Sequence, residues 1–306
     1  MDIVINLSFA AIFVGSLYIT PLRIRKLSHD NPIQIKQRAW ATLFSCVVCC
    51  LIVVGWCNFL APHPVHRLPV HELLGMRVRG FALAAVVPLM LTVTLFFGAL
   101  VCRVCEYVEY QKIDSGSDPN ATVVAPIVWP TISDMTSSIV RYFSDWPNIR
   151  TVVLAPITEE FVFRSCMAAV LLCSGTWSSG RITFVLPLFF GVAHAHHFYR
   201  RVFLESTPWK TAVLMCVFQF TYTSLFGIYA TFVYLRTGHL IAAVLCHCFC
   251  NWNGFPDTGW LTNKHDIARP HMKVIGLSYV VGIVGFYFGL YKMTDPAMYE
   301  SRLWQH

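Results

Sequence analysis

Eight apolar segments, separated by polar stretches, dominate the hydrophobic pattern of this chain of 306 residues. A helix that crosses a bilayer needs about 20 consecutive, mostly apolar residues, and several of the segments approach or exceed that length. The pattern predicts an all-α fold, a polytopic membrane helical bundle of about eight transmembrane helices. We expect residues 1–306 to form a single domain, with spans at residues 3–20, 40–60, 81–102, 151–173, 182–197, 211–234, 239–252 and 274–291.

The composition supports a membrane protein and gives no support to a nucleic-acid-binding one. Hydrophobic residues make up 56% of the chain and charged residues 13%, against roughly 25% charged in a typical soluble domain. The formal net charge is +7. The basic residues lie between the apolar segments, and no Lys/Arg cluster is interleaved with aromatics, so we interpret the charge as that of cytoplasmic loops.

The distribution of Lys and Arg among the loops predicts the orientation. Most of these residues follow the first, third, fifth and seventh apolar segments. The positive-inside rule then places those loops in the cytoplasm and both chain termini on the opposite side. A glycan on Asn120, in the acceptor sequence Asn120-Ala121-Thr122, would contradict this orientation.

One polar region contains a second kind of helix pattern. Between residues 131 and 146, apolar side chains recur every three to four positions among charged ones. This spacing predicts an amphipathic helix that lies in the membrane interface.

The loop histidines and the cysteines give only weak evidence for a metal site. His63, His66 and His71 lie in a proline-rich loop, where solvated side chains are the simpler interpretation. Cys102 and Cys105 have a Cys-x-x-Cys spacing, but no second pair follows at the spacing of a zinc site. The twelve cysteines are scattered, so we predict small buried apolar side chains and no disulfide framework.

The fourth apolar segment is exceptional because it carries two adjacent acids and an arginine. Glu159, Glu160 and Arg164 lie in the sequence Thr-Glu-Glu-Phe-Val-Phe-Arg. Ionisable groups at membrane depth are costly and by default indicate a functional site. On a helix, Glu160 and Arg164 share one face, which predicts an ion pair. Glu159 is rotated by about 100° and would remain free to act as a general base.

Two further polar positions lie in other apolar segments. His194 ends the fifth segment, four residues after Phe190, and His247 precedes Asn251 by four residues in the seventh. Residues four apart project from one face of a helix. Together these residues suit the attack of water on an amide. Glu159 would take the proton, His194 would position the water, and His247 with Asn251 would stabilise the oxyanion.

The same residues leave other interpretations open. A buried ion network could simply hold helices together. A zinc site could use His194, His247 and a glutamate. Ligands from separate helices leave no spacing signature in the sequence, so residue spacing does not exclude such a site. A cysteine nucleophile is disfavoured, because Cys246 and Cys248 neighbour His247 in sequence and therefore point away from it on a helix.

Three short motifs, in this order, resemble the signatures of the type II CAAX prenyl endopeptidases, the Ras-converting enzymes. They are Glu159-Glu160-x-x-x-Arg164, Phe190-x-x-x-His194 and His247-x-x-x-Asn251, all within residues 145–253. The wider superfamily includes other intramembrane proteases and bacteriocin self-immunity proteins. His194-Ala195-His196-His197 is also similar to eukaryotic members.

The resemblance implies a multi-pass protease of the endoplasmic reticulum membrane. Its substrates would be prenylated CAAX-tailed proteins such as Ras-like small GTPases, which lose their last three residues. It also implies that Glu159 and His194 activate water, that His247 and Asn251 form the oxyanion hole, and that Glu160 and Arg164 support them. The family site is described as metal-independent, which implies no metal and no other cofactor. A non-catalytic membrane scaffold of the same superfamily is the alternative.

Overall fold

A computed structural model describes residues 1–25, 27–61, 68–114, 127–263 and 266–304 of the protein. Several sequence positions discussed above lie outside these ranges. They are His63 and His66 of the proline-rich loop, and the glycosylation acceptor Asn120. His71 is described, in the short helix Val70–Leu73.

Helices are the only regular secondary structure in the described ranges, which confirms the all-α prediction. Within the described residues, five helical segments are long and apolar enough to cross a membrane: Asp2–Ile19, Pro32–Leu60, Ser179–Phe203, Trp209–Thr237 and Arg269–Met293. A sixth forms if Phe81–Leu95 and Phe97–Asp114, which meet at a bend of 66°, are one broken span. The chain is thus a multi-pass membrane protein, but the predicted number of eight spans is not confirmed.

The two remaining predicted spans are helical yet differ from a regular transmembrane helix. Leu240–Asn253 has only 14 residues. Residues 150–174 alternate between π-helical and α-helical turns, in the order Arg150–Leu154, Ala155–Glu160, Phe161–Cys166 and Met167–Ser174. We call residues 150–174 the glutamate helix.

The chain divides into two compact units, each made of discontinuous pieces. The first unit contains residues 1–88, 146–248 and 294–306. Helices Asp2–Ile19 and Pro32–Gly55 pack against each other there, as do Ser179–Ala193 and Trp209–Thr237. The core is formed largely by the glutamate helix, in which every residue from Val162 to Leu172 is buried. The prediction of a single domain stays a prediction.

The second unit contains residues 89–145 and 249–293. Within it, Met272–Met293 packs on Phe97–Asp114, and Trp260, Ala268 and Ile275 form a small core with Cys102. The predicted amphipathic helix is present as Ile132–Tyr142, which begins with a capping box between Thr131 and Asp134. Its side chains from Ile132 to Arg141 are exposed, apolar ones included, as expected of a helix that lies on a membrane.

Shorter elements connect these helices. They are Leu22–Arg25, Trp146–Ile149, His196–Tyr199, Gly259–Thr262 and Pro296–Tyr299, the 3-10 turn Arg269–His271, and the π-helical turns Trp56–Leu60 and Arg200–Leu204.

Candidate active site

The two adjacent glutamates occupy different environments at the end of the α-helical turn Ala155–Glu160. The Glu160 side chain is fully buried, whereas the Glu159 side chain is 20% exposed. The helical offset predicted this division. Of the two acids, only Glu159 is therefore open to an incoming substrate or water.

Glu160 accepts contacts from two cationic or potentially cationic groups. Its Oε1 lies 3.1 Å from Arg164 Nη1, which confirms the predicted ion pair. The same oxygen lies 2.7 Å from His247 Nδ1 on the helix Leu240–Asn253. A carboxylate is an acceptor only, so an ionised Glu160 fixes His247 in the form with hydrogen on Nδ1. The other ring nitrogen, Nε2, then lies 3.9 Å from Glu159 Oε2.

Arg164 is held by aromatic rings as well as by charge. Its side chain is 1% exposed. The guanidinium carbon lies 4.1 Å from the ring centre of Phe190 and 5.6 Å from that of Phe226. A guanidinium over a desolvated ring face gains about 2 kcal/mol. These contacts explain how a buried arginine is tolerated although its two terminal nitrogens lack well-aligned hydrogen bonds in the described part of the chain.

Phe190 brings the two histidines to one location. Its ring centre is 4.6 Å from that of His194 and 6.3 Å from that of His247. The sequence contained a signal for Phe190, its four-residue spacing from His194. Phe226, which contacts the His247 ring at 4.7 Å, had no such signal and was missed.

His194 lies at the C-terminal end of the helix Ser179–Ala193, where its orientation is fixed by the backbone. Its Nδ1 is 2.7 Å from the carbonyl oxygen of Phe190. A carbonyl oxygen accepts, so Nδ1 carries the hydrogen and Nε2 is left as an acceptor. No ion pair within 4.0 Å links His194 to Glu159 among the described residues.

Close packing of two helices holds this arrangement. A Cβ atom on Gly227 would lie 2.8 Å from the Cβ of Pro187 and 3.1 Å from Arg164 Nη2. A Cβ on Gly191, next to Phe190, would lie 2.5 Å from Ser224 Oγ. These two glycines let Trp209–Thr237 approach Ser179–Ala193 closely enough to place Arg164 against the Phe190 and Phe226 rings.

The first unit thus joins Glu159, Glu160, Arg164 and His247 directly, with His194 connected through the Phe190 ring. Asn251 is half-buried and follows His247 by four residues along the helix Leu240–Asn253, within the segment that belongs to the second unit. No group of three His, Cys, Asp or Glu side chains arranged to hold a metal ion occurs in the described ranges.

Comparison with known proteins identifies the family. Residues 144–253 match the family described as type II CAAX prenyl endopeptidase Rce1-like. The chain is 36% identical to the human CAAX prenyl protease 2 over 301 residues, which covers 96% of this chain and 82% of the human protein. It is 33% identical to the rat protein over 300 residues, covering 96% of this chain and 80% of the rat protein. It is also 29% identical to the Arabidopsis thaliana protein, covering 96% and 89%.

No solved structure matches the chain significantly. The sequence relationship extends well beyond the motif-bearing region, because the human, rat and plant proteins are matched over nearly the whole chain. The chain belongs to the type II CAAX prenyl endopeptidases, a family of membrane-embedded peptide hydrolases.

Proposed function

We propose that this protein cleaves prenylated CAAX proteins after the prenyl-cysteine and releases the last three residues, using water as the nucleophile. The observation that carries the mechanism is the partly open Glu159 carboxylate beside a histidine whose ring orientation is fixed by the buried Glu160. Family membership supports the substrate class. The expected substrates are Ras-like small GTPases and other prenylated proteins, at the endoplasmic reticulum membrane.

Glu159 and His194 are proposed to activate the water. Both side chains present an acceptor to the water. The acceptor of Glu159 is its carboxylate. The acceptor of His194 is Nε2, because its Nδ1 donates to the Phe190 carbonyl oxygen. A water molecule that donates one hydrogen to each acceptor turns a lone pair outward, towards the scissile carbonyl carbon. Glu159 then takes the proton as the carbon–oxygen bond forms, and returns it to the leaving amine.

His247 and Asn251 are proposed to stabilise the tetrahedral oxyanion. The Asn251 side chain supplies N–H donors in any protonation state. With its Nδ1 hydrogen given to Glu160, His247 can donate from Nε2 only when the ring carries both protons. The imidazolium of His247 and the guanidinium of Arg164 then carry two positive charges. The carboxylates of Glu159 and Glu160 carry two negative charges, so the four groups together are neutral.

Glu160 and Arg164 are proposed to act as positioning residues. Glu160 orients His247 through a charge-assisted hydrogen bond of 2.7 Å. Arg164 neutralises Glu160 and contacts the two rings that flank the histidines.

The prenyl group gives a physical reason for a membrane-embedded site. A single lipid chain gives marginal, reversible membrane binding, which concentrates the tail at the bilayer. An enzyme that meets its substrate from within the bilayer therefore gains local concentration and orientation. No nucleic acid, metal or other cofactor enters the proposed reaction.

The test uses detergent-purified protein with a farnesylated CAAX peptide and its unprenylated counterpart. We expect a tripeptide to be released from the farnesylated peptide alone. No release from either would refute the proposal, and release from both would remove its prenyl specificity. A zinc-dependent hydrolase predicts loss of activity with strong chelators, which we expect to have no effect.

The variant Glu159→Gln separates a protease from a non-catalytic scaffold built on the same buried network. A protease should lose at least a hundredfold in kcat, within the range of general acid–base contributions, while its thermal unfolding temperature changes little. A scaffold has no turnover to lose, so the wild-type protein would release no tripeptide.

A further inference from the structure

A small cavity lies beside the stretch that follows His194. It is lined by basic side chains from three separate elements of the first unit. Arg25 comes from the short helix Leu22–Arg25, Arg38 from Pro32–Gly55, and Arg200 from the π-helical turn Arg200–Leu204. His196 and His197 line the side of the cavity nearest His194, and Tyr18, whose ring centre is 6.2 Å from that of His196, lines it as well.

The charge of this cavity is not balanced by acidic residues. No carboxylate is among its described lining residues, and neither Arg25 nor Arg38 forms an ion pair in the described part of the chain. Arg200 uses only its Nε, which lies 2.7 Å from Glu205 Oε1. Arg25 Nε and His196 Nε2 are buried without a hydrogen-bond partner among the described residues. His196 gives its Nδ1 hydrogen to a backbone carbonyl oxygen, so its Nε2 is an acceptor and the unpaired buried donor is Arg25 Nε. Such a donor beside clustered guanidinium groups calls for an anion.

The size of the cavity limits which anions it can hold. Its volume is about 60 Å³. One water molecule needs roughly 10–15 Å³, so the cavity can hold a few waters or a group of similar size. It is far smaller than the roughly 300–1,000 Å³ of sites for drug-sized ligands. A carboxylate group fits these limits, whereas a whole phospholipid headgroup does not.

The wall of the cavity lies within reach of a tripeptide that begins at His194. Ring centres step 5.8 Å from His194 to His197 and 4.1 Å from His197 to His196. The cavity wall therefore begins within about 10 Å of the proposed water-activating residue. Three extended residues span about 10 Å, so the C-terminal carboxylate of a bound substrate can reach this wall while its third-last peptide bond lies at His194.

We propose that this cavity binds the free α-carboxylate of the C-terminal residue of the substrate. The inference rests on the proposed function and extends it. Arg38 and Arg200 supply the charge, and the buried Arg25 Nε supplies a further donor. Anchoring the chain terminus three residues away from His194 would fix the distance of cleavage from the end and would make a free C-terminus a requirement.

The experiment compares a farnesylated CAAX peptide that has a free C-terminal carboxylate with the same peptide amidated at its C-terminus. For the wild-type protein we expect kcat/KM to favour the acid by about tenfold to a hundredfold, the usual range for a hydrogen bond to a charged group. In Arg38→Gln and Arg200→Gln this ratio should fall towards one. Arg23→Gln, at an exposed arginine of the same short helix as Arg25, is the matched control and should keep the wild-type ratio.

The outcomes separate this inference from the proposed function. If the wild-type protein cleaves neither peptide, the proposed function is wrong. If it cleaves both equally well, the function stands and the carboxylate site is refuted. A loss in Arg38→Gln that is equal for both peptides, and that appears only in vesicles containing anionic phospholipid, would assign the cavity to a lipid phosphate and overturn the inference.

Discussion

Glu159 and Glu160 are adjacent and chemically identical, but they differ in burial, and this difference gives them different roles. Glu160 is enclosed, and its Oε1 pairs with both Arg164 and His247. Glu159 is partly open, and its nearest potential ionic partner is His247 Nε2 at 3.9 Å. A paired, buried carboxylate is structural first, because removing its charge leaves a buried cation uncompensated.

This difference predicts separable effects on stability. Glu160→Gln should lower the free energy of unfolding by about 3–5 kcal/mol, the usual cost of breaking a buried ion pair, because it leaves Arg164 without a counter-charge. Thermal unfolding in detergent would measure the change. Glu159→Gln is the matched control and should unfold close to the wild-type temperature. Equal destabilisation by the two variants would contradict the assignment of Glu160 as the buried partner.

At the scale of elements, the helix–helix contact behind Arg164 depends on glycine. Gly227→Ala should lower the free energy of unfolding by about 1–3 kcal/mol, as overpacking does, because its Cβ would approach Pro187 and Arg164 too closely. We also expect kcat/KM to fall as Arg164 shifts. Both quantities can be measured on the purified protein.

Gly15→Ala provides the control for this substitution. A Cβ at Gly15, in the helix Asp2–Ile19, would meet nothing within 4 Å, and alanine favours helices over glycine. The variant should therefore be neutral or stabilising. Equal loss of stability in Gly15→Ala and Gly227→Ala would contradict the prediction that the close contact at Gly227 is what destabilises the alanine variant.

Uninterrupted apolar runs made several helices predictable in both type and extent. Residues 3–20 form Asp2–Ile19, residues 211–234 lie within Trp209–Thr237, and residues 274–291 lie within Met272–Met293. The second helix begins at Pro32, eight positions before the predicted span. Asn31 caps it and proline occupies its first turn, so the sequence did contain the start signal.

Other features depend on tertiary contacts and could not be predicted locally. The break after Leu95 precedes Gly98, where a Cβ would overlap the ring of Tyr279. The Glu160–Arg164 pair was predictable because its partners are four residues apart on one helix. The bond from His247 to Glu160 joins residues 87 positions apart, and no periodicity in the sequence encodes it. The catalytic roles of Glu159, His194, His247 and Asn251 stay predictions.

At the scale of the whole molecule, the number and orientation of crossings determine which compartment each loop faces. An even number of crossings puts both termini on one side, and the positive-inside rule places them away from the cytoplasm. Epitope tags at each terminus, probed by protease in sealed microsomes, test this arrangement. We expect both tags to be protected. Digestion of one tag alone would require an odd number of crossings, and digestion of both would invert the orientation.

The π-helical turn Phe161–Cys166 has a consequence for how this sequence can vary in length. A π-helical turn holds one more residue than the α-helical turn it replaces, and such turns are frequent at functional sites. Deleting one residue within this turn would convert it to an α-helical turn and leave the buried residues from Met167 onward in register. The same deletion in the α-helical stretch Met167–Ser174 would rotate everything after it by about 100°. The turn Phe161–Cys166 is therefore the place between the glutamates and the core where the chain can lose one residue with the least disturbance of the buried positions.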